Sequence, residues 1–180
     1  MTYDAVVYDL DGTLVRLAVD WDAVARDVAA VLEERGVDPG SRGLWEMLGL
    51  SDETGHREAV EETITRHERE GAERGQALAL AEGLPHDVPV GVCSLNAESA
   101  VRLALSTHGL DEFVGPVVGR DTVADPKPDP SGLLRAVDEL GVSPERTVFV
   151  GDSERDAETA RRAGTGFAWA SEFDQRRYRA

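Results

Sequence analysis

Residues 4–8, DAVVY, form a short apolar run that stops at the polar segment DLDGT. A run of that length ending in Asp and Gly predicts a buried strand feeding a turn. Beyond it the period changes. Trp21, Val24, Val28, Val31 and Leu32 recur at helical spacing, with Asp20 placed to cap the start and Gly36 the end. That segment predicts a helix of about four turns. Leu44, Trp45 and Leu48 predict a short helix after it. Residues 51–74 are strongly charged, and a narrow stripe of Ala59, Val60 and Ile64 predicts a second, largely exposed helix.

The pattern changes again near Gly83. VPVGVCSL (88–95), FVGPVV (113–118), TVFVGD (147–152) and GFAWA (166–170) read as strands. Between them, helices are predicted from about Glu98 to Gly109, over 131–140 and over 154–164. Alternating strands and helices predict an α/β fold, a Rossmann-like parallel sheet flanked by helices. The first strand belongs to the same sheet. Residues 1–15 and 83–180 then form the core, and 16–82 form a helical insertion after the first strand. No internal repeat or low-complexity segment interrupts the pattern.

Composition narrows the partners. The formal net charge is -16 and the sequence pI about 4.5, with hydrophobic residues at 41%. The regular aliphatic spacing argues for a folded domain with a carboxylate-rich surface, not a disordered acidic chain. Phosphate backbones and anionic membranes need a basic face, so neither nucleic acid nor a membrane is expected as partner. Of the 19 Lys and Arg residues, Lys127 is the only lysine. Few lysines and many carboxylates predict adaptation to high salt, where screening quenches self-repulsion; an ordinary acidic protein is the alternative. The one cysteine, Cys93, allows no intrachain disulfide. The start MTYDAVVYDL has no basic region or cleavage site, and no apolar run reaches membrane-spanning length. A cytoplasmic location is expected.

Ligands of open parallel sheets sit at the carboxyl ends of the strands. Those ends carry Asp9, Asp11 and Thr13 in DLDGT, Ser94 and Asn96 in CSLN, and Asp152 and Asp156 in GDSERD. Lys127, in PKPDP, lies on a neighbouring loop. Several carboxylates at one edge repel each other unless a cation joins them. Oxygen donors without His or Cys suit Mg²⁺ together with substrate phosphate. Aspartate is a covalent nucleophile in phosphoryl transfer, and a second carboxyl can serve as acid and base.

This set of motifs, in this order and across essentially the whole chain, resembles the haloacid dehalogenase superfamily of phosphatases. The resemblance implies Asp9 as nucleophile and Asp11 as general acid and base. It implies Mg²⁺ held by Asp9, the backbone carbonyl of Asp11 and Asp152, with Asp156 supporting the metal site or the lysine. Ser94, Asn96 and Lys127 would bind the phosphoryl group. The insertion resembles the family's small cap, and the substrate would be a small phosphorylated metabolite of the phosphoglycolate type. Asp11 favours a phosphatase over a dehalogenase. A sugar phosphomutase on the same motifs, or a non-catalytic binding protein on the same fold, is the alternative. The sequence is compatible with a monomer or a homodimer.

Plainer roles compete at several positions. Asp-Gly is a common turn pair. Ser153-x-x-Asp156 is also a capping box, and Asn96 can cap the following helix. Thr13 and Gly12 are expected to shape their loop. Cysteine phosphatases need an arginine six residues after the cysteine, and here that residue is Ser99, so Cys93 is expected to be a buried strand residue. The histidines at 56, 67, 86 and 108 show no metal spacing. Trp21 and Trp45 are expected to pack the cap and Trp169 the core. Arg16, Trp45, His56 and Arg57 are candidates for substrate contact.

Overall fold

A computed structural model describes residues 3–178. Five parallel strands make the central sheet: β1 (Ala5–Tyr8), β4 (Val90–Cys93), β5 (Val117–Val118), β6 (Thr147–Gly151) and β7 (Gly166–Trp169), in the order β5-β4-β1-β6-β7. Between β1 and β4 lie a two-residue strand β2 (Val15–Arg16), helices α1 (Trp21–Glu33), α2 (Leu44–Thr54) and α3 (Arg57–Glu73), and strand β3 (Gln76–Ala77). Helices α4 (Glu98–Thr107), α5 (Ser131–Glu139) and α6 (Glu154–Ala163) follow β4, β5 and β6.

Alternation within each strand builds two apolar layers. Val6, Tyr8, Val90, Val92, Val148 and Val150 point to one face, where Val101, Ala104 and Leu105 of α4 cover them. Val7, Cys93 and Phe149 point to the other, against Leu133, Ala136 and Val137 of α5 and Ala160 of α6. The helices between β2 and β3 close on a separate cluster of Val24, Val28, Leu32, Met47, Leu48, Val60 and Ile64. Antiparallel pairing of β2 with β3 brings the two ends of the insertion together at the core.

At α1 the expected N-cap acts as predicted, whereas the C-cap is Glu34 and not Gly36. Asp20 accepts the Ala23 N–H at 3.0 Å and starts α1. Gly36 closes a turn three residues beyond the end of that helix, at φ +75°. Asp129 accepts the Ser131 N–H at 2.9 Å at the start of α5, with Pro130 preceding the first helical residue.

Several expected elements are corrected. The predicted helix over 51–74 is two: residues 51–54 complete α2, and Gly55, in the left-handed region at φ +75°, turns the chain into α3. Nor is α3 largely exposed, since Val60, Ile64, Glu68, Gly71 and Ala72 are buried along one face. The strand expected over 113–118 shrinks to Val117–Val118, because 111–113 form a 3₁₀ turn. Trp169 lies half-buried on the edge strand β7, edge-on to Phe167 and outside both core layers. Among the described residues, no helix is long and apolar enough to cross a membrane.

Candidate active site

The carboxyl ends of β1, β4 and β6 open on one cavity of about 700 Å³. Asp9, Asp11, Ser94, Asn96, Lys127, Asp152 and Asp156 all line it. The sequence motifs therefore converge, and the two wound loops show how. After Asp9 the chain turns tightly, with Leu14 and Val15 both donating to the Leu10 carbonyl. Gly12 sits there at φ +83°, and a side chain at that position would strike the Asp152 carboxylate, 2.1 Å from a Cβ. Glycine is thus required both by the backbone and by the close approach of the β6 loop. Gly151 plays the matching part on β6, since a Cβ would lie 2.6 Å from the Cβ of Asp156.

Lys127 holds the floor. Its ammonium donates to Asp9 Oδ1 at 2.9 Å and to Asp156 Oδ1 at 2.5 Å. The other oxygen of Asp156 accepts from the N–H and hydroxyl of Ser153, at 3.2 and 2.6 Å. The capping box and the lysine support are therefore the same residue, one oxygen for each. Burial raises Asp9 to about 6, against the opposing pull of Lys127. Burial would lower Lys127, but the carboxylates of Asp9 and Asp156 outweigh it and hold the ammonium charged. Asp11 and Asp152 are raised as well, each chiefly by burial.

The donor set fits a divalent cation. Carboxylate oxygens of Asp9, Asp152 and Asp156 lie within 4.8 Å of one another. Three carboxylates facing one ammonium leave two negative charges unmatched, and all donors are hard oxygens. The carboxylate of Asp11 lies outside that group and accepts the N–H of Leu17, just beyond β2, at 2.9 Å.

At the end of β4, the Ser94 hydroxyl donates to Asn96 Oδ1 at 3.0 Å and accepts the Asn96 N–H at 3.1 Å. Asn96 does not cap α4, whose N-cap is Ala97; its amide donates to Glu68 of α3 at 3.2 Å. Glu68 and its partner Arg120 escaped the sequence reading. Both are fully buried, and the only advance signal was that residue 68 continues the 60, 64 stripe of α3.

The far wall comes from the helices inserted between β2 and β3. Trp21, Ala25, Leu44 and Trp45 line it, joined by Arg155 of α6. The two tryptophans meet at 6.5 Å between ring centroids, so they form cavity wall as well as packing. Arg155 lies over Trp45 at 5.8 Å. The other substrate candidates fall elsewhere. Arg57 pairs with Asp52 and Glu61, and neither it, His56 nor Arg16 lines the cavity. Cys93 is buried, and burial pushes its thiol up to about 12, as suits a residue of the core.

The sequence profile of the haloacid dehalogenase-like hydrolases matches residues 6–170. The chain belongs to that family. It is 31% identical to the phosphoglycolate phosphatase of Pseudomonas putida, over 88% of this chain and 66% of that protein. Identity to the phosphoglycolate phosphatase of Rhodospirillum rubrum is 34%, over 89% and 76% of the two chains. The chain thus spans about two thirds to three quarters of these relatives' lengths. A haloacid dehalogenase superfamily hydrolase of subfamily IA from Geobacter sulfurreducens superposes with a TM-score of 0.61 at 27% identity, covering 92% and 88% of the chains. Within its family this chain groups with the phosphatases.

Proposed function

We propose that the protein hydrolyses small phosphate monoesters, of the phosphoglycolate type, with Mg²⁺ and through an aspartyl-phosphate on Asp9. The observation that carries this reading is Lys127, which joins Asp9 to Asp156 on the floor of a cavity also lined by Ser94 and Asp152. Asp9, Asp152, Asp156 and the backbone carbonyl of Asp11 would hold the metal. Bound there, Mg²⁺ would neutralise the excess carboxylate charge and polarise the phosphoryl oxygens.

The residues of the chain take the following parts. Ser94, with Asn96 beside it, and Lys127 hold the phosphoryl group against Asp9. The Asp9 carboxylate attacks phosphorus; the Asp9 O–P bond forms and the ester P–O bond breaks. Asp11, raised by its burial, gives its proton to the leaving alkoxide. Asp11 then takes a proton from the water that attacks the aspartyl-phosphate, and inorganic phosphate leaves with Asp9 restored.

The substrate end of the cavity supports the phosphoglycolate type. Apart from Lys127, Arg155 is the one cation among the residues lining the cavity, and its guanidinium suits a carboxylate. The test is phosphate release from a panel of esters, including 2-phosphoglycolate, in molar KCl with Mg²⁺ or with EDTA. Release that needs Mg²⁺ and no sugar bisphosphate primer is expected. Absence of release from every ester would sink the reading.

A further inference from the structure

Arg120 and Glu68 form a second buried ion cluster, beside the phosphoryl-binding loop and outside the motifs. The Arg120 guanidinium donates to Glu68 Oε1 at 2.7 Å and to Glu61 Oε2 at 2.7 and 2.9 Å. Both Arg120 and Glu68 have side chains fully closed to solvent. Burying such a pair is costly, and an apolar pair of similar volume is often as stable. The pair is therefore weak evidence for stability, and its remaining hydrogen bonds show where it acts.

All of them converge on residues 95–97, the loop after Ser94. The Leu95 carbonyl accepts from Arg120 Nη1 at 2.6 Å, and the Asn96 carbonyl accepts from the Arg120 backbone N–H at 3.0 Å. Glu68 Oε2 accepts the Ala97 N–H at 2.9 Å, and Glu68 Oε1 accepts the Asn96 amide at 3.2 Å. Asn96 in turn accepts the Ser94 hydroxyl. A continuous hydrogen-bonded path thus runs from the middle of α3 to a side chain of the active site.

We propose that Glu68 and Arg120 are positioning residues for phosphate: they fix the Ser94–Ala97 loop in its binding geometry, so that α3 of the cap helps to build the phosphoryl site. This rests on the phosphatase reading. Neither side chain touches substrate. Each acts through the loop, and a misplacement of about 1 Å at such a site is enough to weaken function strongly.

The test uses two variants of the full chain with inorganic phosphate as a competitive inhibitor. Glu68→Gln removes the charge but keeps the shape. Glu68→Met with Arg120→Met removes both charges at once, so that neither is left buried and unpaired. In both, KM and the Ki of inorganic phosphate are expected to rise about tenfold or more. In the double variant the melting temperature should stay close to wild type. A charge-retaining control, Glu68→Asp, should recover part of the phosphate affinity. A folded double variant with wild-type KM and phosphate Ki overturns the proposal. So does a double variant that does not fold, because the pair would then be structural. If the wild type itself releases no phosphate, it is the phosphatase reading that fails, and this outcome is separate from the other two.

Discussion

The molecule buries two cations beside its candidate active-site cavity, each held between two carboxylates. Lys127 sits between Asp9 and Asp156, and Arg120 between Glu61 and Glu68. The likeness ends at what each has left to give. An ammonium has three donors, and Lys127 spends two on its aspartates. It also lines the cavity. Arg120 is sealed from solvent and commits Nε and both terminal nitrogens to protein acceptors. A compact point charge on a stiff Pro-Lys-Pro segment keeps one donor for a ligand. A planar fork with five donors is suited to tying several pieces of chain together. In a chain that uses arginine everywhere else, the one lysine stands on the cavity floor, where the proposed phosphoryl group would take its third donor.

Removing the reacting group at the lysine cluster should have the largest effect. Asp9→Asn is expected to lower kcat by at least about 10⁴-fold, since the amide cannot attack phosphorus. Its circular dichroism should match wild type. Retention of near-wild-type turnover would break the mechanism.

Swapping the two cations is the sharper test. Lys127→Arg keeps the charge but not the compact shape, and should lower kcat about 100-fold, the scale of one preorganised transition-state contact. Its melting temperature should change little. Arg120→Lys should instead act through the loop: KM should rise, and lost bonds in a buried network should cost about 1–3 kcal/mol in a denaturant titration. If Lys127→Arg kept most of its activity, charge alone would suffice at that position and the contrast would dissolve.

Substrate selectivity should depend on neither cluster. Arg155→Ala is expected to raise KM about tenfold for 2-phosphoglycolate, the scale of one charge-assisted bond. An ester without a carboxylate should be nearly unaffected. Equal losses on both esters would remove Arg155 from recognition.

Salt should act on the surface and spare both buried clusters. Lowering KCl from about 2 M to about 10 mM extends the Debye length to about 30 Å. With a formal net charge of -16, the exposed carboxylates should then repel each other and lower the melting temperature by several degrees. A melting temperature unchanged across that range would rule out adaptation to high salt.

These differences also mark what could be read from the sequence. Asp9, Ser94, Lys127 and Asp152 were legible because each stands at a local signal, an apolar run ending in a polar turn or a lysine between prolines. The sheet was legible for the same reason. The β2–β3 pair was not, since two residues per strand carry no period. The break at Gly55 was available in the glycine itself but hidden in a continuous run of charge. Glu68 was half legible: a carboxylate on the stripe of Val60, Ile64 and Ala72 had to be buried, and a buried carboxylate needs a partner. That the partner is Arg120, more than fifty residues later in a loop, follows only from topology, which packs α3 against α4 and the loop before α5.

The seating of Glu68 under the β4 loop also bears on engineering. The inserted helices look like an exchangeable module for altering substrate range, because they enter and leave the core at one two-stranded ribbon. Here the graft has a second seam. A chimaera that took α1 to α3 from a donor without a carboxylate at position 68 would leave the Arg120 guanidinium buried, with Glu61 lost or kept by chance. Such an uncompensated charge costs about 3–5 kcal/mol, a large share of a domain's stability. A cap exchange that keeps residue 68 acidic, or that changes Arg120 along with it, avoids that loss.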